Sequence, residues 1–224
     1  MSRQRGNVPG EYYHVFNRGA HRQTLFREKS DWEHFLFSIL YLQSPHLFQN
    51  AHRIVRAYTP LLGFPVDDTD IEHVIAERFV ELVAFCLMPN HFHLLVRETA
   101  EDGISRYMQR VGTAYAMYFN TKYETSGHLF QGPYKTVRVE TDTQLLYLSA
   151  YIHRNPRELK AWRGKEFEYP WSSLQDFTEA NRWGGLIVPD IVVGQFDITK
   201  DSNYADFVRT STAKTIASEL EGIL

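Results

Sequence analysis

At 224 residues and 43% hydrophobic side chains, the chain can build one sizeable domain with an extension, or two small domains. Its single cysteine, Cys86, excludes an internal disulfide framework and any multi-cysteine metal cluster, and it fits a reducing compartment. No apolar run reaches the roughly 20 residues that span a bilayer, and the segment MSRQRGNVPGEYY lacks the apolar stretch of a secretory signal. We therefore expect a cytoplasmic protein without a membrane partner.

The charge distribution is uneven along the chain. A net charge of −3 argues against a general nucleic-acid binder. Residues 1–30, however, carry 6 basic and 2 acidic side chains, and residues 102–163 carry 9 and 5, whereas residues 64–101 carry 2 and 8. Two basic segments in an acidic protein favour a local site for a polyanion over a basic coat.

The first elements in chain order are a strand and a helix. The stretch from Tyr12 to Asn17 predicts a strand that ends at the turn signal N-R-G. A helix follows, with Ser30 as its N-cap and Glu33 completing a capping box. Residues 44–70 are rich in proline and aspartate, and we expect an inserted long loop with a short helical piece.

The central and later segments predict three more strands and two more helices. RFVELVAFCLM and HFHLLVRET flank Pro89-Asn90 and predict an antiparallel hairpin deep in a sheet. GISRYMQRVGTAYAMYFNTKY predicts a helix, and a fourth strand is expected after GHLFQGPYK. A last helix begins at Thr141 or Asp142 and stops at Pro156.

This order of elements predicts an α+β fold. Strand, helix, strand, strand, helix, strand, helix is the order of a ferredoxin-like sandwich, with helices on one face of an antiparallel sheet. We expect residues 1–180 to form this domain and the acidic residues 181–224 to form a C-terminal extension.

The stretch MPNHFHLLV contains two histidines one residue apart. In a strand His91 and His93 project to the same face while Phe92 points the other way, so two neutral imidazoles could chelate one divalent ion. The plain alternative is that each histidine makes a local hydrogen bond. The apolar flanks favour the metal, because a buried imidazole without a partner costs about 1–3 kcal/mol.

The segment YIHRNP places a tyrosine and an asparagine one helical turn apart. Tyr151 and Asn155, at i and i+4, share a helix face, so an asparagine oxygen on a metal would leave the phenol beside it. A phenol with a pKa of about 10 needs such help to act as a nucleophile at neutral pH. Aromatic packing by the tyrosine and a helix C-terminus before Pro156 explain the same residues. The spacing alone does not distinguish this structural role from a catalytic one.

Together these motifs resemble a known family. MPNHFHLLV, AYAMYFNTKYETSGHLFQGPYK and LSAYIHRNP, with YYHVFNRGAHRQTLF before and YPWSS after, resemble the REP-associated tyrosine transposases, a branch of the single-tyrosine HUH (insertion-sequence-200-like) transposases. The resemblance covers about residues 10–177. It implies a nuclease domain that cuts and rejoins single-stranded hairpin DNA with Mg²⁺ (or Mn²⁺), through a tyrosine linked to a 5′ phosphate.

Site residues carry over from the resemblance one by one. His91 and His93 match the HUH pair, Tyr151 the nucleophile, and Asn155 a further metal ligand. Pro133 departs from the family, which commonly has arginine there. One phosphate contact is then missing or moved to Lys135.

DNA-binding candidates come from the resemblance and from the basic segments. Asn17 and Arg18 resemble the family's N-R-G element near the substrate. The other candidates are Arg110, Lys122, Lys135, Arg138, Arg154 and Arg157. Each is equally explained as a solvated surface charge.

Two other functions stay open on the sequence. The departure at Pro133 is compatible with a catalytically silent binder of structured single-stranded DNA or RNA. A small-molecule metallohydrolase with zinc on His91 and His93 is less well supported, because no further motif completes a zinc site. The chain could act as a monomer or a homodimer.

Overall fold

The computed structural model describes residues 7–196, 203–212, 215 and 220, and its centre is one antiparallel sheet. The strands are β1 (Tyr12–Arg18), β2 (Val80–Met88), β3 (His91–Glu98) and β4 (Lys135–Val139). They lie in the order β2-β3-β1-β4, and every neighbouring pair is antiparallel. Pro89 and Asn90 join β2 to β3, as the sequence predicts.

Eight α-helices accompany the sheet within the described part of the chain. They are α1 (Lys29–Tyr41), α2 (Ala51–Arg56), α3 (Asp68–Ala76), α4 (Gly103–Lys122), α5 (Asp142–Arg154), α6 (Leu174–Thr178), α7 (Asp190–Val193) and α8 (Tyr204–Thr210). The order of strands and main helices is that of the predicted ferredoxin-like α+β sandwich, and this fold is confirmed.

Helices cover both faces of the sheet rather than one. Phe85 and Leu87 of β2 pack in the core that contains α1 and α4, whereas Ala84 and Cys86 pack in the core that contains α5. The physical reason lies in β2, which is apolar and buried on both of its faces and therefore needs a covering layer on each side. Helix α5 supplies the second layer.

The N-terminus of α1 is capped differently from the prediction. Glu28, not Ser30, is the N-cap, and the capping box is formed with Asp31 rather than Glu33. Asp31 is fully buried and accepts hydrogen bonds from Lys122 at 2.7 Å and from Tyr123 at 2.7 Å. Burial alone would raise the pKa of Asp31, but these hydrogen bonds hold its pKa below the usual value. Contacts from α4 therefore select this cap.

The segment after α1 packs on the α1 and α4 side of the sheet. The predicted insertion, residues 44–70, contains α2 and the start of α3. Val55, Phe64 and Val74 are buried in the same core as α1 and α4. This segment is therefore part of the folded unit, on the face opposite to α5.

The described part of residues 181–224 also packs on the domain. The backbone N–H of Val188 donates to the carbonyl of Leu82 at 2.9 Å, and Ile187 forms an isolated parallel bridge with Leu82. Tyr204 and Val208 of α8 are buried in the core that contains α5. Residues 197–202, 213–214, 216–219 and 221–224 of the predicted extension, and residues 1–6, lie outside the described residues. The division into domain and extension stays a prediction.

In the part of the chain that the structure describes, no helix is both long enough and apolar enough to cross a bilayer.

Candidate active site

A cleft of about 520 Å³ opens at one end of the sheet, on the face that α5 covers. It lies where β1, β3 and the start of β4 meet the C-terminal end of α5. Its walls are formed by His14, Phe16, Asn17, Arg18, His91, Phe92, His93, Gln131, Gly132, Pro133, Lys135, Tyr151 and Glu158.

The two histidines of the H-x-H motif are neighbours in this cleft. The ring centroids of His91 and His93 are 5.1 Å apart, with the rings nearly perpendicular at 88°. The residue between them points to the other core, where Phe92 packs against Phe35 at 4.9 Å. The alternation expected of a strand thus places both imidazoles toward α5 and the phenylalanine away from it.

A third histidine, His14 on β1, contacts the pair. His14 is 1% exposed, and its Nε2 lies 2.9 Å from Nδ1 of His93. Nδ1 of His91 lies 2.8 Å from Oδ1 of Asn90. If both Nδ1 atoms carry the proton and donate it, Nε2 of His91 and of His93 keeps its lone pair for a metal ion. Sequence reasoning missed His14, because only the pairing of β1 with β3 brings it to His93.

Both histidines of the pair are held in the neutral form. Burial lowers the pKa of His91, with a smaller opposing effect from the Asn155 side chain. Burial, followed by the charges of His14 and His91, lowers the pKa of His93 well below its usual value. At neutral pH neither imidazole has to lose a proton before it binds a cation.

Tyr151 and Asn155 meet the histidines from α5. The Tyr151 ring lies edge-on to His93, with 5.4 Å between centroids. Asn155 follows the last residue of α5, and its Nδ2 donates to the carbonyl of Tyr151 at 2.9 Å. That hydrogen bond fixes the side-chain amide one turn below the phenol.

The amide oxygen of Asn155 fits a metal ligand. Oδ1 is buried and has no hydrogen-bond partner among the described residues. A buried polar atom without a partner costs about 1–3 kcal/mol. A divalent cation held by this oxygen and by Nε2 of the two histidines would satisfy it. The amide oxygen is a ligand type that Mg²⁺ and Mn²⁺ both accept, whereas the two imidazoles suit a transition-metal ion such as Mn²⁺ better than Mg²⁺.

The phenol of Tyr151 is not ionised by its surroundings. Burial raises the pKa of Tyr151, and the negative charge of Glu158 raises it further. Asn155 and Arg18 act in the opposite direction without reversing the shift. Tyr151 is therefore a neutral phenol at neutral pH, and any role as a nucleophile requires activation.

Three of the eight predicted DNA-binding residues line the cleft. Arg18 is exposed at the end of β1, and Asn17 donates through Nδ2 to the carbonyl of Gly132 at 3.1 Å. Nζ of Lys135 lies 5.9 Å from the centroid of the Phe16 ring. Two cations and an amide thus border the histidines and the tyrosine.

The other five make contacts outside the cleft walls. Lys122 is bound to Asp31 and Glu28 near the start of α1. Arg110 donates to the carbonyl of His46 at 2.8 Å on the opposite face. The remaining three residues and their partners are Arg138 with Glu11 at 2.9 Å, Arg157 with Glu166 at 2.7 Å, and Arg154 with the carbonyl of Val208.

Residues near Pro133 complete the cleft wall. Pro133 itself lines the cleft, so the departure from the family's arginine falls at the site. Gln131 and Glu158 also line it, and sequence reasoning missed both. Their positions depend on the loop before β4 and on the turn after α5, for which the sequence carries no periodic signal.

Comparisons with known proteins bear on the family and the fold of this chain. Residues 69–155 match the model of a family described as "Transposase IS200 like", a stretch that includes both histidines, Tyr151 and Asn155. A solved structure of a REP-associated tyrosine transposase bound to a REP hairpin is similar, with a TM-score of 0.53 and 15% identity over 91% of this chain and 96% of that chain. No curated protein is significantly similar. The predicted family resemblance is confirmed, and the structural likeness confirms the fold.

Proposed function

We propose that this chain is a metal-dependent nuclease and strand transferase of the transposase type, which cuts and rejoins single-stranded hairpin DNA. One observation carries the proposal. Two separate motifs contribute: H-F-H on β3 and Y-I-H-R-N on α5 place two neutral imidazoles and a phenol in one cleft, and the second motif also supplies the buried, unpartnered amide oxygen of Asn155 one helical turn from the phenol. The match of residues 69–155 to the IS200-like family supports the same reading.

In the proposed reaction Tyr151 is the nucleophile. Its Oη forms a bond to phosphorus, the 3′ oxygen leaves and takes a proton, and the phenol proton passes to solvent in the cleft. The products are a 5′-phosphotyrosine and a 3′ hydroxyl. Attack by another 3′ hydroxyl reverses the step, so strands are rejoined without an external energy source. Bound Mg²⁺ or Mn²⁺ would polarise the scissile phosphate and favour the anionic form of the phenol.

The side chains around Tyr151 position the substrate. Arg18 and Lys135 line the cleft and offer positive charge to the phosphates of a bound strand. Phe16 lies half-buried beside Lys135 and offers a ring face to an unpaired base. His91, His93 and Asn155 would hold the metal, and His14 would orient His93 through the contact between Nε2 of His14 and Nδ1 of His93.

The test is covalent capture of DNA. Full-length protein is incubated with labelled single-stranded hairpins from repeats flanking its own gene, with Mg²⁺ or Mn²⁺ and then with a chelator. The proposal expects a chelator-sensitive protein–DNA adduct. Hairpin binding without an adduct, across both metals and a broad hairpin set, would favour a silent binder of structured single-stranded nucleic acid.

His14 is expected to position the metal ligand His93. His14→Ala removes the hydrogen bond to Nδ1 of His93, which fixes both the ring and its tautomer. Loss of such a supporting contact weakens metal affinity about 10- to 100-fold. The half-saturating Mn²⁺ concentration for cleavage should rise by that factor, while the rate at saturating Mn²⁺ changes little.

A conservative variant distinguishes positioning by His14 from a purely structural role. In His14→Gln the amide oxygen can still accept from Nδ1–H of His93, so part of the Mn²⁺ affinity should return. An unchanged Mn²⁺ dependence in His14→Ala would show that His14 does not position the metal.

Lys135 is expected to contribute one phosphate contact. Lys135→Ala should weaken hairpin binding and reduce the slope of log affinity against log salt by roughly 0.7 to 1. The measurement is a binding titration at several salt concentrations. Lys29→Ala is the matched control, because Lys29 is 65% exposed and pairs with Glu33 at the start of α1. Equal slopes of log affinity against log salt in Lys135→Ala and Lys29→Ala would show that Lys135 does not contact a DNA phosphate.

A further inference from the structure

A second group of metal-ligating side chains lies in the segment after α1, away from the cleft. His46 precedes α2, and Asp70 and His73 lie at i and i+3 on α3. Their ligand atoms all lie within 4.8 Å of one another. Nε2 of His46 is 2.9 Å from Oδ1 of Asp70, and the rings of His46 and His73 are nearly parallel, with centroids 5.6 Å apart.

The backbone around His46 is held in place. Its N–H donates to Oγ of Ser44 at 3.2 Å, and its carbonyl accepts from Arg110 of α4 at 2.8 Å. The ring of Phe48 meets the imidazole edge-on, with 4.8 Å between centroids. On the other side of the cluster, α3 is anchored by Val74, which is fully buried. The backbone at His46 and helix α3, which carry the three side chains, are therefore held in place without a metal ion.

The donor set is that of a borderline transition metal. Two imidazole nitrogens with one carboxylate oxygen, completed by water, are the ligands of open zinc sites. Tetrahedral zinc with bonds of about 2.0–2.1 Å places its ligands about 3.3 Å apart. Nε2 of His46 and Oδ1 of Asp70 are 2.9 Å apart, close to this value, and the ligand atom of His73 lies within 4.8 Å of both.

The electrostatic surroundings favour a cation in part. Asp67, Asp68 and Glu72 join Asp70 on or next to the first turns of α3. The groove beside the cluster, of about 470 Å³, is lined by Asp67 and also by Arg53, whose charge opposes a cation. Arg110, which donates to the carbonyl of His46, opposes a cation as well, but the four acidic side chains outnumber the two arginines and on balance favour a cation.

We propose that His46, Asp70 and His73 bind one Zn²⁺ ion, which acts as a clip joining the start of the 44–76 segment to its end. Bonds from Nε2 of His46 and Oδ1 of Asp70 to the metal replace the hydrogen bond between them, the proton of that hydrogen bond passes to solvent or to Nδ1 of His46, and His73 adds the third bond. Because this segment packs on the α1 and α4 face, the clip lies across the sheet from His91 and His93. It stabilises the fold and takes no part in cleavage, so it is independent of the proposed function.

The experiment is a zinc titration of the full-length chain. Chelator-stripped protein in excess Mg²⁺ is titrated with ZnCl₂ against a chromophoric competitor, and thermal unfolding is followed with and without zinc. Wild type should bind one tight Zn²⁺ and unfold at a higher temperature with it. Asp70→Asn and His73→Ala should bind at least about 100-fold more weakly and lose the thermal shift.

Two further variants make the result decisive. His52→Ala removes an exposed histidine of the neighbouring α2 and should keep the tight site. His93→Ala should keep it as well, since that residue lies on the other face. Tight binding lost in His93→Ala but kept in His73→Ala would move the zinc to the cleft and overturn the proposal, as would equal affinities in all five proteins. His73 is exposed, so His73→Ala should fold normally, which its unfolding curve in chelator will check.

Discussion

Replacing Tyr151 by phenylalanine is expected to abolish the covalent protein–DNA adduct and to lower cleavage by at least about 10⁴-fold, with hairpin binding nearly unchanged. The hydroxyl group is the only group that the substitution removes. The ring of residue 151 keeps its edge-on contacts with His93 at 5.4 Å and with His14 at 6.2 Å. A gel that resolves the adduct, alongside a binding titration, measures both properties.

Tyr147 provides the matched control one turn earlier on α5. It packs against Phe207 of α8 at 5.2 Å and does not line the cleft. Tyr147→Phe should form the adduct at the wild-type rate. An adduct that persists in Tyr151→Phe and disappears in Tyr147→Phe would show that Tyr147, and not Tyr151, is the nucleophile. Loss of hairpin binding together with a lowered unfolding temperature in Tyr151→Phe would instead indicate misfolding.

Removing either histidine of the pair is expected to have the second-largest effect. His91→Ala and His93→Ala each delete a proposed metal ligand, and electrostatic stabilisation worth several kcal/mol corresponds to a loss of cleavage of about 10³-fold or more. Cleavage at increasing Mn²⁺ concentrations is the measurement. Higher Mn²⁺ should recover part of the activity if the loss lies in metal affinity.

The two variants are expected to differ in stability. His93 is 7% exposed, and its removal takes a hydrogen bond from buried His14, which should cost about 1–3 kcal/mol in the free energy of unfolding. His91 is half-buried and its side-chain hydrogen bond is with its chain neighbour Asn90, so His91→Ala should change stability much less. Cleavage at the wild-type rate in His91→Ala would show that His91 is not a metal ligand. Loss of cleavage in His91→Ala with unchanged stability would be due to the missing ligand and not to unfolding.

Local patterns were sufficient for several features of this protein. The alternation of a strand places His91 and His93 on one face, and the turn of a helix places Tyr151 above Asn155. Both relations depend on residues close in sequence, so they hold wherever the strand and the helix form. The order of the elements follows from the same short-range signals, and the fold that it predicts is confirmed.

Charge, by contrast, was a poor guide to the cleft. Lys122 and Arg110 lie in the basic segment, yet one completes the cap of α1 and the other supports the loop at His46. Whether a cation is free for DNA depends on whether an acid or carbonyl from another element lies beside it. Such partners are separated by tens of residues, and composition cannot identify them.

Backbone periodicity is enough to predict the fold class, the paired imidazoles and the spacing of the phenol and amide. It could not show that His14 supports His93, that Asp31 completes the capping box of α1, or that His46 meets Asp70 and His73. Each of those contacts joins elements that are distant in the chain. Strand register and helix packing bring them together, and these are set by the burial of apolar surface across the whole domain.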